Sequence, residues 1–338
     1  MTLVELGWNE DFRAKYAEWA PKEDLRPGRV AIGFNQNFRI YLEGEELDAV
    51  TAGRVKHRAR NRAELPAVGD WVVVRQRAEE NQGVIVAVLP RRSAFTRRGA
   101  GNVTGEQVVA ANVDVVFVVM GLDADYNLRR LERYLLMARE SGASPVVLLT
   151  KPDLCADVPV VLHAIARVAG DLPMHVLQPR LGEGLEHVRA HLGPGLTAAL
   201  LGSSGVGKST IINRLVGSDV QRTGEVRESD SRGRHTTSHR ELVLLPGGGL
   251  IIDTPGMREL QLWDAAGAVR ETFGEIEALA AGCHFTNCRH RDEPRCAVKA
   301  AVADRRVPAE RLESYLKLQE ELAELARQQE ERARKTRR

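Results

Sequence analysis

The stretch of residues 202–210 constrains the fold of this 338-residue chain more than any other part of its sequence. Its letters, GSSGVGKST, match the pattern GxxxxGK followed by Ser or Thr, and they lie between an apolar run and the start of a helical pattern. Backbone N–H groups of such a loop close around phosphate oxygens, and the following helix N-terminus adds partial positive charge. The alternative is a Gly/Ser turn that happens to precede a lysine, which the strand–loop–helix setting disfavours. The predicted phosphate-binding residues are Gly202, Ser203, Ser204, Gly205, Val206, Gly207, Lys208, Ser209 and Thr210.

The phosphate loop and a second motif downstream of it both offer groups for the phosphates and for Mg²⁺. In the phosphate loop, Lys208 is expected to reach the β- and γ-phosphates as a catalytic residue, and the Ser209 hydroxyl to ligate Mg²⁺. Downstream, in the letters DTPG, Asp253 can hold the Mg²⁺ shell through water, and the Gly256 amide can sense a γ-phosphate.

Upstream of the loop, the letters TKPD directly follow the apolar run VVLL. A carboxylate at the fourth position can accept both the ring N–H and the exocyclic amine of guanine, which adenine does not offer. The end of a strand is also where open α/β sheets bind ligands. Thr150, Lys151, Pro152 and Asp153 are therefore predicted to select GTP.

The order of these motifs is unusual, because the guanine motif precedes the phosphate loop by about fifty residues. Ordinary GTPases carry it last, so the sheet is predicted to be circularly permuted, which keeps a site intact when the old termini are close together. Apolar runs alternate with helical stretches between about residues 106 and 260, which indicates a doubly wound, mostly parallel sheet. The predicted strands are 113–120, 146–150 and 196–201, the helices are 128–141, 160–169 and 208–216, and 241–245 with 250–252 form a hairpin.

The N-terminal part is predicted to be a small β-barrel. Its strand-like runs are 28–34, 37–42, 49–56, 70–75 and 83–88. Five short strands fit an oligonucleotide-binding (OB) barrel, with an SH3-like barrel as the alternative. Arg54, Lys56, Arg58, Arg60 and Arg62 recur at every second position, which places them on one face of an extended strand. With Arg91, Arg92, Arg97, Arg98 and a basic C-terminus they suggest a polyanionic partner, although any one cluster is as readily a solvated face.

Cysteine and histidine concentrate near the C-terminus. The spacing Cys283-x4-Cys288-x-His290-x5-Cys296 offers three thiolates and one imidazole, which fits a closed, tetrahedral structural Zn²⁺ site. Reduced cysteines in a small core are the alternative, and His284 is a rival ligand that its adjacency to Cys283 disfavours. A long helical pattern follows Pro308.

Together these motifs resemble the RsgA family, also called YjeQ or YloQ, and the resemblance covers nearly the whole chain. It rests on the letters AANVD, NLRRLERYL, GSSGVGKST, GRHTTSHREL, DTPGMREL and CxxxxCxH. The resemblance implies an OB-type barrel, a circularly permuted GTPase domain and a helical zinc-bearing domain. It also implies GTP hydrolysis stimulated by the small ribosomal subunit, in late maturation of that particle, through binding of its rRNA.

The resemblance assigns roles to single residues. In the GRHTT letters, which match switch I, Thr236 or Thr237 supplies a second Mg²⁺ hydroxyl. Met257 follows DTPG where many GTPases place the glutamine that orients water, so the resemblance makes His235 the catalytic candidate; a solvated histidine without a role is the alternative. Thr150 replaces the commoner asparagine, which weakens a side-chain amide contact near the base. The backbone of residues 177–184 is expected to contact the guanine O6.

The expected domains are an N-terminal extension (1–27), the RNA-binding barrel (28–100), the GTPase domain (106–265) and the zinc domain with its basic tail (266–338). The longest apolar run, 115–120, is too short to span a bilayer, and the N-terminus lacks the pattern of a secretory signal. A cytoplasmic protein with no membrane partner is therefore expected, and we also expect it to be a monomer. The four cysteines would be reduced there. Two other functions remain open: an RNA-binding assembly factor with an incidental nucleotide latch, and a small-molecule kinase.

Overall fold

A computed structural model describes residues 1–22, 24–34, 37–76, 82–98, 106–203, 205–217, 240–253 and 272–336. They fall into two compact units. The first comprises Met1–Tyr134 and Ser141–Gln261, and the second comprises Leu135–Glu140 and Leu262–Arg338.

Five strands of the first unit close into a barrel. They are β1 (Leu25–Phe34), β2 (Asn37–Tyr41), β3 (Glu46–Thr51), β4 (Trp71–Gln76) and β5 (Gln82–Val88). Their order is β1-β2-β3-β5-β4, and pairing of β1 with β4 closes the barrel. The β3–β5 pair is parallel and the other pairs are antiparallel. This confirms the predicted five-stranded barrel.

The third predicted strand, 49–56, was placed wrongly. Inward and outward side chains alternate over β3, which ends at Thr51. The Ala52 carbonyl then accepts hydrogen bonds from the Val55 and Lys56 amides, which start the short helix α2 (Gly53–Arg58). The basic residues of this stretch therefore do not share one face of a strand.

A second group of strands continues the same sheet. It contains β8 (Val115–Gly121), β9 (Ser144–Thr150), β10 (Met174–Leu177), β11 (Thr197–Leu201), β12 (Arg240–Leu244) and β13 (Leu250–Asp253). Their order is β10-β9-β8-β11-β13-β12, all parallel except β12. The central strands are buried along their length, which explains why they read as continuous apolar runs. The helices are α3 (Leu128–Glu140), α4 (Val158–Ala169), α5 (Leu185–Ala190) and α6 (Lys208–Val216).

Several elements of the first unit escaped prediction. Among them are helices α1 (Glu10–Tyr16), α2 and α5, strand β10, and a two-stranded sheet of β6 (Ala94–Arg98) and β7 (Glu106–Ala111). The buried guanidinium of Arg29 in β1 ties the N-terminal segment to the barrel, since it donates to the carbonyl oxygens of Leu6, Gly69 and Asn112. Burial lowers the pKa of Arg29 to about 10.

The second unit contains helices α7 (Gly274–Ala280), α8 (Ala297–Ala303) and α9 (Ala309–Thr336). Phe273, Ile276, Val298 and Tyr315 are buried between them. Arg311 of α9 donates to the Glu275 carboxylate at 2.6 Å, which fixes α9 to the start of α7. Across the described ranges, every helix is too short or too polar to cross a bilayer.

Candidate nucleotide site and metal centre

The predicted phosphate loop connects the buried strand β11 to helix α6. Gly205 (φ +73°) and Gly207 (φ +106°) adopt left-handed backbone conformations that favour glycine. A Cβ on Gly202 would lie 2.4 Å from the Val119 carbonyl oxygen, so this position also requires glycine. The Gly207 carbonyl accepts the first hydrogen bond of α6, from the Ile211 amide at 2.9 Å. The loop therefore turns at the N-terminus of α6, with Ser204 outside the described residues.

The Lys208 side chain folds back over this loop. Its Nζ donates to the carbonyl oxygens of Gly202 at 2.7 Å and Ser203 at 2.5 Å. Ser209 is exposed in the first turn of α6, and Thr210 is half-buried beside it. The ammonium group and the hydroxyl thus lie at the mouth of the loop.

The guanine motif lies at the carboxyl end of β9 and is joined to the phosphate loop. The buried Thr150 hydroxyl donates to the Val206 carbonyl at 2.7 Å. The threonine that replaces the commoner asparagine therefore makes a direct contact with the loop. Lys151 is left-handed (φ +59°), and Asp153 is exposed in the 3-10 turn Pro152–Leu154.

Two aspartates at the carboxyl end of β8 belong to this site and were missed in the sequence. Asp123 Oδ2 accepts from Lys151 Nζ at 2.7 Å, and this bond holds the pKa of Asp123 below its usual value. Asp125 Oδ1 accepts from Ser203 Oγ at 2.6 Å. Acidic residues directly after a buried strand were the available signal, because ligands of such sheets bind at strand ends.

Asp253 ends β13, which lies parallel to β11. Surrounding protein atoms and the neighbouring Glu241 carboxylate raise the pKa of Asp253, while the Lys208 ammonium lowers it. The charge of Lys208, in the phosphate loop, therefore acts on the Asp253 carboxylate.

Several predicted site residues lie outside the described residues. They are Ser204, His235, Thr236, Thr237, Gly256 and Met257. In the predicted base-contacting stretch 177–184, the Gln178 and Glu183 backbones form an isolated bridge after β10.

The second unit brings the predicted metal ligands together. Cys283, Cys288, His290 and Cys296 each place one ligand atom within 4.8 Å of the others. The Cys283 Sγ to Cys296 Sγ distance is 3.8 Å, and His290 Nδ1 lies 3.6 Å from Cys283 Sγ and 3.4 Å from Cys296 Sγ. His284, the rival ligand, is exposed and contacts Phe285 edge to face.

These distances fit a tetrahedral zinc ion. Zn–S bonds of about 2.3 Å and a Zn–N bond of about 2.0 Å place sulfur atoms about 3.8 Å apart and sulfur and nitrogen about 3.5 Å apart. Burial lowers the pKa of His290, which favours the neutral imidazole that binds metals. His290 (φ +59°) and Arg295 (φ +56°) are left-handed, and Cys296 caps α8 by accepting from the Lys299 amide. The Cys3His group therefore suggests zinc.

The two basic clusters predicted in the barrel region differ in their exposure and in their ion pairs. Arg54, Lys56, Arg58, Arg60 and Arg62 are all exposed between β3 and β4. Arg91 instead pairs with the buried Asp70 at 2.7 Å, and Arg92 pairs with Asp114 at 2.7 Å. The two arginines thus serve the fold, and the exposed segment of residues 54–62 is the stronger candidate surface for a polyanion.

Comparisons with known proteins find family models and relatives that match most of this chain. The family model described as RsgA GTPase matches residues 88–263, and one described as 50S ribosome-binding GTPase matches residues 197–334. The chain is 49% identical to the small ribosomal subunit biogenesis GTPase RsgA of Opitutus terrae, over 97% of this chain and 91% of that protein. It is 42% identical to the protein of the same name from Methanosarcina acetivorans, over 94% and 84% of the two chains.

Solved structures show the same fold. YjeQ from Thermotoga maritima superposes with a TM-score of 0.65 at 25% identity, covering 88% of this chain and 99% of that one. YloQ, described as a circularly permuted GTPase, gives a TM-score of 0.61 at 22% identity, over 89% and 96%. The permuted arrangement predicted from the order of motifs is therefore confirmed.

Proposed function

Because this chain belongs to the RsgA family of circularly permuted GTPases, we propose that it couples GTP hydrolysis to docking on the small ribosomal subunit, late in the maturation of that particle. The observation that carries the proposal is the hydrogen bond between Thr150 and Val206, which joins a guanine motif at the end of β9 to a phosphate loop at the end of β11, the two strands that flank β8. The names of the curated relatives support the ribosomal assignment.

In the proposed site, the Asp153 carboxylate accepts both guanine N–H groups, with Thr150, Lys151 and Pro152 fixing its position. The backbone amides of the loop hold the phosphates, and the Lys208 ammonium stabilises the charge that develops on them during hydrolysis. Oxygen donors suit Mg²⁺, which Ser209, one of Thr236 and Thr237, and Asp253 through water would hold to neutralise phosphate charge. Gly256 senses the γ-phosphate.

From the family resemblance we assign the orientation of the attacking water to His235, because the methionine at position 257 offers no polar group for this role. In this proposal, docking on the ribosome holds switch I so that the imidazole reaches the water.

The proposed partner is rRNA, bound by the barrel (28–100) through the exposed basic segment of residues 54–62. The GTPase domain (106–265) follows, and the zinc domain (266–338) holds one structural Zn²⁺ that stabilises its fold; residues 1–27 form an N-terminal extension. The protein acts in the cytoplasm as a monomer.

The assignment of GTP as the nucleotide can be tested by measuring the base selectivity of the Asp153→Asn variant. Xanthine carries a carbonyl where guanine carries the amine, so an asparagine amide can donate to it. We expect the variant to lose GTP turnover and to gain turnover of xanthosine triphosphate. Asp157→Asn, an exposed position four residues away, is the matched control. Unchanged GTP preference in Asp153→Asn, or an ATP preference in the wild type, would overturn the assignment.

A further inference from the structure

The segment that follows β8 lies between the two halves of the nucleotide site. In the sheet, β8 is flanked by β9, which leads to the guanine motif, and by β11, which leads to the phosphate loop. Asp123 and Asp125 lie in this segment, and each holds a residue of one half.

Asp125 is bonded on both carboxylate oxygens. Oδ1 accepts from the Ser203 hydroxyl at 2.6 Å and from Arg130 Nη2 at 2.6 Å, and Oδ2 accepts from the Gly121 amide at 3.2 Å. Arg130, in the first turn of α3, also donates to the Asp125 carbonyl. The Asp125 carboxylate, which binds the phosphate loop, is therefore also bonded to α3 through Arg130 and to the end of β8 through Gly121.

Asp123 is also bonded on both carboxylate oxygens. Its Oδ1 accepts from the Asp125 amide at 3.1 Å while its Oδ2 binds Lys151. A Cβ on Gly121 would lie 2.4 Å from Asp123 Oδ1, so the carboxylate reaches this position because residue 121 is glycine. The two aspartates are therefore hydrogen-bonded to each other as well as to the two halves of the site.

We propose that Asp123 and Asp125 are positioning residues for the guanine nucleotide, which hold Lys151 and Ser203 at the spacing that the bound nucleotide requires. The inference rests on the proposed function. A site that is ordered before the nucleotide arrives loses less conformational freedom on binding, so these contacts strengthen binding without touching the reacting atoms. Their loss is expected to accelerate nucleotide dissociation by a larger factor than it lowers kcat at saturating GTP.

The test is a double-mutant cycle of Asp125→Ala and Ser203→Ala, read by the dissociation rate and Kd of a fluorescent GDP analogue. Each single variant is expected to weaken binding by about tenfold, the scale of one lost hydrogen bond to a charged group. The double variant is expected to be no weaker than the worse single one, because both remove the same contact. Asp125→Asn, which keeps an oxygen acceptor, is expected to recover part of the loss.

Asp157→Ala provides the structural control, since Asp157 caps α4 by accepting from the Val160 amide. It is expected to lower Tm without changing GDP dissociation. Additive losses in the cycle, or wild-type dissociation in Asp125→Ala, would overturn the positioning role. If Asp125→Ala does not fold, Ser203→Ala removes the same hydrogen bond from the side of the phosphate loop, and wild-type GDP dissociation in this variant would overturn the role. Failure of the wild type to bind GDP would instead contradict the proposed function itself.

Asp123 is tested separately by Asp123→Asn and Lys151→Gln. Each is expected to raise the Kd for GDP, and the pair to be less than additive. Independent effects of the two substitutions would show that the ion pair does not position Lys151.

Discussion

The Thr150 hydroxyl connects the guanine motif to the phosphate loop. The threonine side chain is buried, and the hydroxyl donates to the Val206 carbonyl oxygen. Thr150→Val keeps the shape but removes the donor, and leaving a buried acceptor without its partner costs about 1–3 kcal/mol. We expect weaker GDP binding and a lower Tm, with Thr150→Ser close to the wild type. Equal GDP affinity in the valine and serine variants would show that the tether does not contribute.

His235 provides a second test at the residue scale. His235→Ala is expected to keep GTP and subunit binding but to lose most of the subunit-stimulated turnover, because the attacking water is no longer oriented. His163→Ala, on the exposed side of α4, is the control. Full stimulation in His235→Ala would remove the catalytic role from this residue.

At the residue scale, motifs with fixed spacing could be predicted and isolated contacts could not. The three cysteines and His290 have a spacing that is typical of a tetrahedral metal site, and the structure brings them together. Asp123 and Asp125 follow no such spacing, and their roles depend on which strands flank β8. That neighbourhood is a property of the sheet order, which the sequence alone does not specify.

The stretch from Glu46 to Arg58 shows why the boundary of one secondary-structure element was predicted wrongly. Basic residues at every second position suggested a strand, but β3 ends at Thr51, and α2 begins two residues later. Alternation predicts a strand only where one set of side chains is buried, and here the alternating set is exposed.

The exposed basic segment of residues 54–62 predicts a salt-dependent contact. Replacing Arg58, Arg60 and Arg62 with alanine is expected to weaken small-subunit binding and to flatten its salt dependence, since each phosphate contact contributes a slope of about −0.9 for duplexes. Basal turnover should not change. Arg13, Lys22 and Arg167, replaced together, remove the same charge elsewhere on the first unit. Wild-type binding of the first triple variant across a salt series would mean that this segment is merely solvated.

The link between α7 and α8 predicts a metal requirement. We expect about one Zn²⁺ per chain and, in Cys288→Ser, faster hydrogen exchange around residues 274–303 with GTP binding retained, because small domains draw folding free energy from such a metal. Ser314→Ala, in α9, serves as a control without a ligand change. Protein purified without chelator and free of zinc would contradict the site.

At the scale of the whole molecule, circular permutation changes what the switch segments are connected to. Motif order runs along the chain, so the permutation could be read from the sequence. The pairing of β1 with β12 could not be predicted from the sequence, because it joins residues more than two hundred positions apart. Ile32 faces Glu241, and Gly33 faces Arg240. Strand β12 follows the switch I letters and leads through a hairpin to Asp253. The barrel is thereby paired with the strand that lies between the switch I letters and the DTPG motif.

Steady-state GTP turnover titrated with purified ribosomal subunits shows whether the small subunit stimulates this GTPase. We expect small subunits to raise kcat to a saturating value, whereas large subunits and free rRNA do not. Slow turnover that small subunits leave unchanged, despite tight binding, would rule out the proposed stimulation and favour an RNA-binding factor that uses its nucleotide only as a latch.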